Sequence, residues 1–444
     1  MRKIVIIGNG ISGITAARHI RKRSNDPITI ISAETDHFFS RTALMYIYMG
    51  HIKFEHTKPY EDWFWEKNNL QLMRDYVLQV DTDRKMIHLQ SGNTMDYNIL
   101  IIATGSKPNK FGWPGQDLKG VQGLYSYQDL ENMESYTRGI QRAVVVGGGL
   151  IGIEMAEMLL SRDIPVTFLV REKSFWDIVL PAEESALVNR HIREHKIDLR
   201  LENELEKIIP DHSGRVKGVI TSQGEEISCQ FLGLAVGVHP NIGFLKESKI
   251  ETDRGIMVNR YFETTVPEVY AIGDCVQYRE PLPGRKSIEQ VWYTGRIHGE
   301  TVAQTIMGER TPYHPGPWFN SAKFLDIEYQ VYGQVKNVPD QKEASIYWED
   351  DSGKRSARLV YDRSTKQLMG INLMGIRFRH AVCDRWIKEK ATIDKVIQNL
   401  KEACFDAEFS ENPIPYIRHI YHKNHPDNPV HPGKSRHIFS FLIN

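Results

Sequence analysis

Two short glycine runs in this chain have the spacing to hold phosphate: Gly8-Asn9-Gly10-Ile11-Ser12-Gly13 and Gly147-Gly148-Gly149-Leu150-Ile151-Gly152. Each follows a β-branched run, at 4–7 and 143–146, and opens an apolar helical pattern. In that setting the first glycine allows a tight turn, the second lets backbone reach a pyrophosphate, and the third lets helix pack on strand. The helix start then turns its positive dipole end toward the phosphates. The expected contacts are Gly8, Gly10, Ser12 and Gly13 in the first loop, and Gly147, Gly149, Leu150, Ile151 and Gly152 in the second. Two such loops in one chain point to two dinucleotides, most simply a flavin and a nicotinamide.

The elements that must position these loops are two βαβ units. In the first, a strand over 3–7 meets the glycine turn, a helix runs through Ala16 and Ala17, and a second strand covers 28–32. Glu34 lies just beyond, where an acidic residue would accept from a ribose hydroxyl; the alternative is a surface Glu at a strand end. The aromatic run 59–65 reads as leading into a short helix that buries its rings. Strands follow over 86–89 and 98–102, then Ala103-Thr104-Gly105-Ser106, with Pro108 marking a crossing between domains. The second unit spans 142–171, with a helix over 152–161 and a strand over 166–170. A helix around 183–195 and further strands complete it near Val236. Residues 258–275 return to the first domain. Beyond Pro312 the pattern changes to alternating strands over 345–348, 357–361 and 368–373, then a helix over 378–389. The expected fold class is α/β: two Rossmann-like dinucleotide-binding domains plus a C-terminal α+β interface domain. The boundaries are 1–112 with 241–311, 113–240 and 312–423, with an extended tail over 424–444.

The 444 residues suit two or three domains. Lys+Arg and Asp+Glu both number 56, so no net field draws nucleic acid or an anionic membrane. The four cysteines, Cys229, Cys275, Cys383 and Cys404, form no C-x-x-C pair. A disulfide framework, a zinc ribbon and a resident iron–sulfur centre are therefore not expected. His419, His422 and His425 recur every three residues, but that spacing drifts around a helix and no carboxylate completes the set. No metal is assigned. No apolar run reaches the ~18 residues of a membrane span, and no signal peptide is read before the first strand. A cytoplasmic setting is the expectation.

Four motifs in order resemble the two-dinucleotide-binding flavoproteins, the pyridine nucleotide–disulfide oxidoreductase superfamily. They are the first glycine loop, Ala103-Thr104-Gly105, the second glycine loop, and the run from Thr264 through Ala271-Ile272-Gly273-Asp274. The resemblance covers roughly residues 2–420. It implies FAD in the first domain, with Ala103, Thr104, Gly105, Gly273 and Asp274 among its contacts and Asp274 at the ribityl chain. It implies NADH or NADPH in the second. Gly237-Val238-His239-Pro240-Asn241 and the third domain resemble the branch holding coenzyme A–disulfide reductases, NADH oxidases and nitrite-reductase flavoproteins. The run from Cys404 to Ser410 resembles the first two. On that resemblance Gly237 falls at the nicotinamide site, Tyr416 and Tyr421 lie near a partner's flavin, and the third domain makes a homodimer. Trp292 and Tyr293 open a helix near the flavin; for Trp292 a core ring is the equal alternative.

One departure decides the chemistry. Where the oxidase and coenzyme A branches carry a single redox cysteine, this chain has Thr42. A hydroxyl cannot exchange with a disulfide, because that step needs a thiolate. Arg41-Thr42-Ala43-Leu44 is similar to the Arg-x-x-Leu of ferredoxin-reductase-like and nitrite-reductase-like flavoproteins, although Tyr46 departs from a Lys found further on in the former. Arg41 and Thr42 are therefore candidates at the flavin. Cys275, beside the Gly273-Asp274 turn, is read as packing.

The coenzyme stays open between NADH and NADPH. The ribose-binding Glu of NADH enzymes falls at Val170, and Arg171 follows, which favours a 2′-phosphate; Glu172 beside it disfavours one. A solvated strand-end charge is the other reading of Arg171. Glu154 matches a family Glu near the nicotinamide, with a plain solvated helix face as the alternative.

The expected function is an FAD-dependent NAD(P)H oxidoreductase passing hydride to flavin and electrons to a separate acceptor: an iron–sulfur protein, rubredoxin, a quinone or oxygen. The alternatives are an NADH oxidase, or an NADH-responsive flavoprotein sensor that presents Trp63–Trp65 and the C-terminal tail to a partner.

Overall fold

The computed structural model describes residues 1–405, 412–427 and 430. The chain divides into two compact units. One is Met1–Arg171 with Ile197–Pro315, and the other is Glu172–Lys196 with Gly316–Asn444.

The first unit is built on two parallel five-stranded sheets of one plan. In the first sheet the order is Val269–Ala271, Ile99–Ile102, Ile4–Ile7, Ile28–Ser32, Leu70–Arg74. In the second it is Asp198–Leu201, Val166–Val170, Ala143–Val146, Phe231–Leu234, Val121–Gln122. The central strands, Ile4–Ile7 and Ala143–Val146, are buried along their whole length. That is why they read as continuous apolar runs rather than alternating ones. Each runs straight into a glycine loop and a helix, Ile11–Arg21 or Leu150–Leu160. Each sheet is accompanied by a three-stranded antiparallel meander: Val77–Asp81, Met86–Leu89 and Thr94–Asp96 for one, and Leu205–Pro210, Val216–Thr221 and Glu226–Ser228 for the other. The crossing expected near Pro108 is a two-stranded antiparallel ribbon, Ser106–Pro108 against Val238–Pro240.

The helix Trp292–Ile306 lies along Ile11–Arg21 at very close range. Two glycines permit it. A Cβ on Gly299 would sit 2.5 Å from the Ser12 carbonyl oxygen, and one on Gly295 2.6 Å from Ser12 Oγ. The aromatic run forms the helix Trp63–Lys67, but only part of it is buried. Trp65 is 7% exposed, whereas Trp63 is 59% exposed with Lys67 above its ring. A helix this short has one apolar face, and residues two apart cannot share it.

The second unit carries a five-stranded antiparallel sheet in the order Phe319–Phe324, Ile327–Gly333, Leu368–Met374, Ser356–Asp362, Glu343–Glu349. The helices His380–Lys388, Ile393–Gln398 and Ile414–Asn424 contribute to its core. The helix Ala182–Glu194, expected with the nicotinamide domain, groups with this unit instead. Its Glu184, fully buried, accepts two bonds from Arg358 at 2.7 and 2.9 Å, and Glu183 accepts a third at 2.8 Å. A carboxylate buried to this degree must be paired, so the helix is held where Arg358 is.

At the C-terminal end, the helix Ile414–Asn424 takes up the first residue of the expected tail. His419 is exposed, His422 contacts Val430, and His425 Nε2 meets the Tyr361 hydroxyl at 2.8 Å, so the three do not converge. Tyr421 is fully buried and donates to Asp394 at 2.5 Å, which leaves Tyr416 as the exposed ring of that pair. Residues 406–410 of the run from Cys404 to Ser410, residue 411 after it, and most of the expected tail lie outside the described residues.

Candidate functional site

The two glycine loops have matching geometry. Gly8 and Gly147 hold φ of +114° and +113°, where other residues are strained. A Cβ on Gly8 would lie 2.1 Å from the Ala103 carbonyl oxygen, and one on Gly147 2.3 Å from that of Ala235. The third glycines are equally confined: Cβ atoms on Gly13 and Gly152 would meet the Gly8 and Gly147 oxygens at 2.1 and 2.2 Å. Gly10 and Gly149 differ. Each adopts an extended conformation open to any residue, and a Cβ on either would meet nothing within 4 Å.

Gly10 and Gly149 are the N-caps of their helices. Neither helix has a side-chain cap or an acid in its first turn. Helix starts leave backbone N–H groups without intrahelical partners, and an anion satisfies them. An open cradle at the second glycine and an uncapped helix start beyond it fit a pyrophosphate at each loop. Leu150 and Ile151 open the second helix, half-buried at its start.

Around the first loop, residues distant in sequence converge. Ala103 N donates to Ile7 O at 2.8 Å, setting the 103–105 turn beside the loop. Thr104 Oγ1 donates to Asn241 O at 2.8 Å. Gly105 has φ +65°, and a Cβ there would lie 2.7 Å from the Tyr125 hydroxyl. That hydroxyl accepts from Ser106 N at 2.9 Å and donates to Asp274 Oδ2 at 3.3 Å. Asp274 sits on the turn Gly273–Cys275, after the edge strand Val269–Ala271. Gly273, at φ +77°, has no room for a side chain, because a Cβ would lie 2.5 Å from Ser12 Oγ. Burial pushes the Asp274 carboxyl up to about 6, against the pull of Arg41 and of the Tyr125 hydroxyl.

Arg41 and Thr42 stand on the 3-10 turn Arg41–Ala43. Arg41 grips Glu34 with both terminal nitrogens, at 2.8 and 2.5 Å, donates to Tyr125 O at 2.5 Å, and lies over the Tyr125 ring. Glu34 also accepts from Tyr127 N at 2.8 Å. An ionised carboxylate offers about four lone-pair sites, so Glu34 has three taken. A ribose hydroxyl would share this carboxylate rather than own it. Thr42 is exposed, 3.2 Å from Ser40 Oγ. Trp292 is half-buried, packed edge-on to Tyr293 at the start of its helix.

Sequence reading missed two members of this cluster. Tyr125 joins Arg41, Gly105 and Asp274. His298, fully buried, accepts from Gly273 N through Nδ1 at 3.0 Å, while its Nε2 meets the Tyr278 hydroxyl at 2.6 Å. Burial, with Arg285 adding to it, pushes the His298 pKa down to about 3, so the ring is neutral. Acceptance at Nδ1 places its proton on Nε2. His298 thereby fixes the backbone that aims Asp274. The available signals were Gly295-x-x-His298-Gly299 on one helix face and Tyr125 beside a capping box, Ser126-x-x-Asp129.

At the second loop, Val170 is fully buried, and a Cβ on Gly148 would lie 2.6 Å from its Cγ1. The position where NADH enzymes place a ribose carboxylate is therefore filled by packing. Arg171 follows it, exposed. Gly237, at φ +86°, accepts from Asn109 N at 3.0 Å, near the 106–108 and 238–240 ribbon. Glu154, half-buried, has its carboxyl pushed up to about 7 by burial and, second, by Glu157.

That shift makes a stability prediction. The folded-state value lies above the ordinary 4.5, so wild-type stability is lost as pH rises from the unfolded value through about 7. Glu154→Gln removes the titration. It should match wild type near pH 4.5 and be more stable by about 1–3 kcal/mol above pH 7. Urea denaturation of nicotinamide-free protein at pH 5 and pH 8 checks it; an equal difference at both values would contradict the cause given.

All four cysteines are free thiols. Cys275 is fully buried, its sulfur 3.2 Å from Ile272 O, and burial pushes its thiol up to about 11. It is packing, as its sequence position implies.

Comparison with known proteins finds relatives over most of this chain. The chain is 29% identical over 355 residues to a nitrite reductase [NAD(P)H] of Bacillus subtilis, covering 79% of this chain and 43% of that one. It spans 50% of an assimilatory nitrate reductase electron transfer subunit of the same organism, and so about half the length of these two relatives. It is 30% identical over 341 residues to an NADH oxidase of Methanocaldococcus jannaschii, covering 73% of this chain and 75% of the relative. Among solved structures, a ferredoxin reductase from Rhodopseudomonas palustris superposes with a TM-score of 0.77 at 21% identity, over 84% of this chain and 91% of that one. At that identity the likeness concerns the fold. The sequence model of one family covers both glycine loops and the Asp274 turn in a single match over residues 2–298, and the chain accordingly belongs to the pyridine nucleotide-disulphide oxidoreductase family.

Proposed function

We propose that this chain is an FAD-dependent NAD(P)H oxidoreductase that delivers electrons to a separate acceptor. The observation that carries the second half is Thr42. The residue beside Arg41, where disulfide-reducing relatives hold a cysteine, is an exposed hydroxyl, and the four thiols lie elsewhere. Bound FAD would supply the hydride-accepting ring and pass electrons onward. The first loop would hold its pyrophosphate at Gly10 and the uncapped start of Ile11–Arg21. Asp274, aimed by His298 through Gly273, would accept from its ribityl hydroxyls. Gly149 and the start of Leu150–Leu160 would hold the nicotinamide dinucleotide, with Arg171 at its adenosine end and Glu154 at its other.

Relatives named rubredoxin-NAD(+) reductase, from Ectopseudomonas oleovorans, and p-cumate 2,3-dioxygenase system ferredoxin--NAD(+) reductase component, from Pseudomonas putida, support a small iron–sulfur protein as acceptor. The proposal includes a cytoplasmic setting and pairing of two copies, as the family resemblance implies. Among the described residues, no helix is long and apolar enough to cross a membrane.

Thiol titration of the denatured protein, before and after anaerobic reduction with NADH or NADPH, tests the acceptor half. The expected count is the same four thiols each time. Two new thiols after reduction would mean a disulfide centre. Oxygen uptake matching the rate with rubredoxin or ferredoxin would favour the oxidase reading instead.

A further inference from the structure

Within the second unit, three side chains outside both dinucleotide loops share one point. His191 and His195 lie one turn apart at the end of the helix Ala182–Glu194, His195 being its C-cap. Residues four apart share a helix face, and the two rings pack edge-on with centroids 4.4 Å apart. Asp326 faces them from the tight turn between the strands Phe319–Phe324 and Ile327–Gly333, a turn that Leu325 makes at φ +58°. His191 Nε2 contacts Asp326 Oδ1, and His195 Nε2 lies 3.4 Å from the same oxygen. One ligand atom from each residue falls within 4.8 Å of the others.

The outward nitrogens decide what the inward ones can do. His195 Nδ1 lies 3.0 Å from the His191 carbonyl oxygen, which can only accept, so Nδ1 carries the proton. With that ring neutral, its Nε2 lone pair faces a carboxylate oxygen 3.4 Å away, an arrangement that a cation between the two would hold together. On the other ring, Glu194 Oε2 lies 3.5 Å behind His191 Nδ1, with Lys354 Nζ 3.6 Å from that carboxylate. An imidazole whose far nitrogen donates to a carbonyl or carboxylate oxygen is the usual arrangement of a metal-binding histidine, and His195 has it.

We propose that His191, His195 and Asp326 form a binding site for a divalent transition-metal ion of the Zn²⁺ class. Two imidazoles and one carboxylate suit that class and leave one position for water. Bonds of about 2.1 Å in a tetrahedron separate ligand atoms by about 3.4 Å. The His195–Asp326 pair already has that separation. The closer His191–Asp326 pair opens by a movement of about 1 Å. Asp326 is free to make it, with a side chain 61% exposed, whereas His191 is 1% exposed and fixed. The ion ties the helix Ala182–Glu194 to a hairpin whose Asp326 lies 135 residues beyond His191.

The full-length protein, stripped with chelator, is titrated with Co²⁺ and then Zn²⁺, following the visible spectrum and calorimetry. The expected result is one ion per chain, intense four-coordinate cobalt bands displaced by zinc, and a rise in thermal midpoint. His195→Ala and Asp326→Asn change partly exposed positions and should keep the fold. Each should weaken binding by at least about 100-fold, the upper end of what a lost outer-shell partner costs, and abolish the thermal shift. Absence of binding, a weak six-coordinate cobalt spectrum in wild type, or binding retained in His195→Ala would overturn the proposal. The last result would place the ion on histidines elsewhere in the chain.

Discussion

Gly149→Ala should leave the protein folded, fully flavinated and almost unable to use its nicotinamide coenzyme. The reasoning rests on a contrast within one loop. At Gly147 a methyl group would strike a carbonyl oxygen at 2.3 Å and would hold a strained φ, so substitution there tests folding. At Gly149 the backbone is extended, and the same methyl meets nothing within 4 Å. The protein alone has no objection to it, and stability should change by no more than about 0.5 kcal/mol. A pyrophosphate seated on the start of Leu150–Leu160 does object, because the methyl holds it off the uncapped N–H groups. Losing two charge-assisted hydrogen bonds of about 1.5–3 kcal/mol each raises the coenzyme's Kd by roughly 10²–10⁴-fold. Gly10→Ala is the mirror experiment: an unchanged fold and a lost flavin. Stopped-flow reduction and flavin content separate the two. Gly149→Ala protein with wild-type coenzyme affinity would mean that the pyrophosphate does not lie on this loop.

Asp274→Ala should yield protein that is purified nearly colourless. The structure gathers a large apparatus around this carboxylate: the Tyr125 hydroxyl, the charge of Arg41, and a turn pinned by His298 and closed against Ser12. None of it makes the carboxylate comfortable, since burial raises its pKa to about 6. A buried acid kept at such cost is characteristic of a functional group. Removing it should relieve the empty protein and harm the loaded one. Flavin affinity should fall by roughly 10–10⁴-fold, from one or two lost bonds to a charged acceptor. The thermal midpoint of flavin-free protein should hold or rise. Fluorescence titration with FAD and melting of the flavin-free form measure both. Full flavin occupancy in the variant would remove Asp274 from the site.

The legible part of this protein is local in sequence. The glycine loops could be read because each glycine answers a short-range demand, for a turn, an approach or a contact, at fixed spacing. Asp274 was legible through the resemblance carried by the run from Thr264, a run that also supplies the strand and the Gly273 turn placing it. Contacts across long stretches of chain were not legible. Glu34 reads as a carboxylate belonging to the ribose alone until Arg41 and Tyr127 are seen to share it. The helix Ala182–Glu194 reads as part of the nicotinamide domain until Arg358, 174 residues from Glu184, is seen to hold it. The Gly295-x-x-His298-Gly299 spacing and the capping box after Tyr125 are visible locally, but the roles of His298 and Tyr125 arise from helix packing and domain crossing. The pair His191 and His195 has no ligand set in sequence, because Asp326 joins it only in three dimensions.

The most direct test of the central claim is to mix the oxidised flavoprotein, without oxygen, with NADH and separately with NADPH, and follow the flavin absorbance. Two loops holding two dinucleotides predict fast and complete bleaching by at least one coenzyme, and the faster one settles the reading of Arg171. Protein carrying its native flavin that is bleached by neither coenzyme would contradict the account.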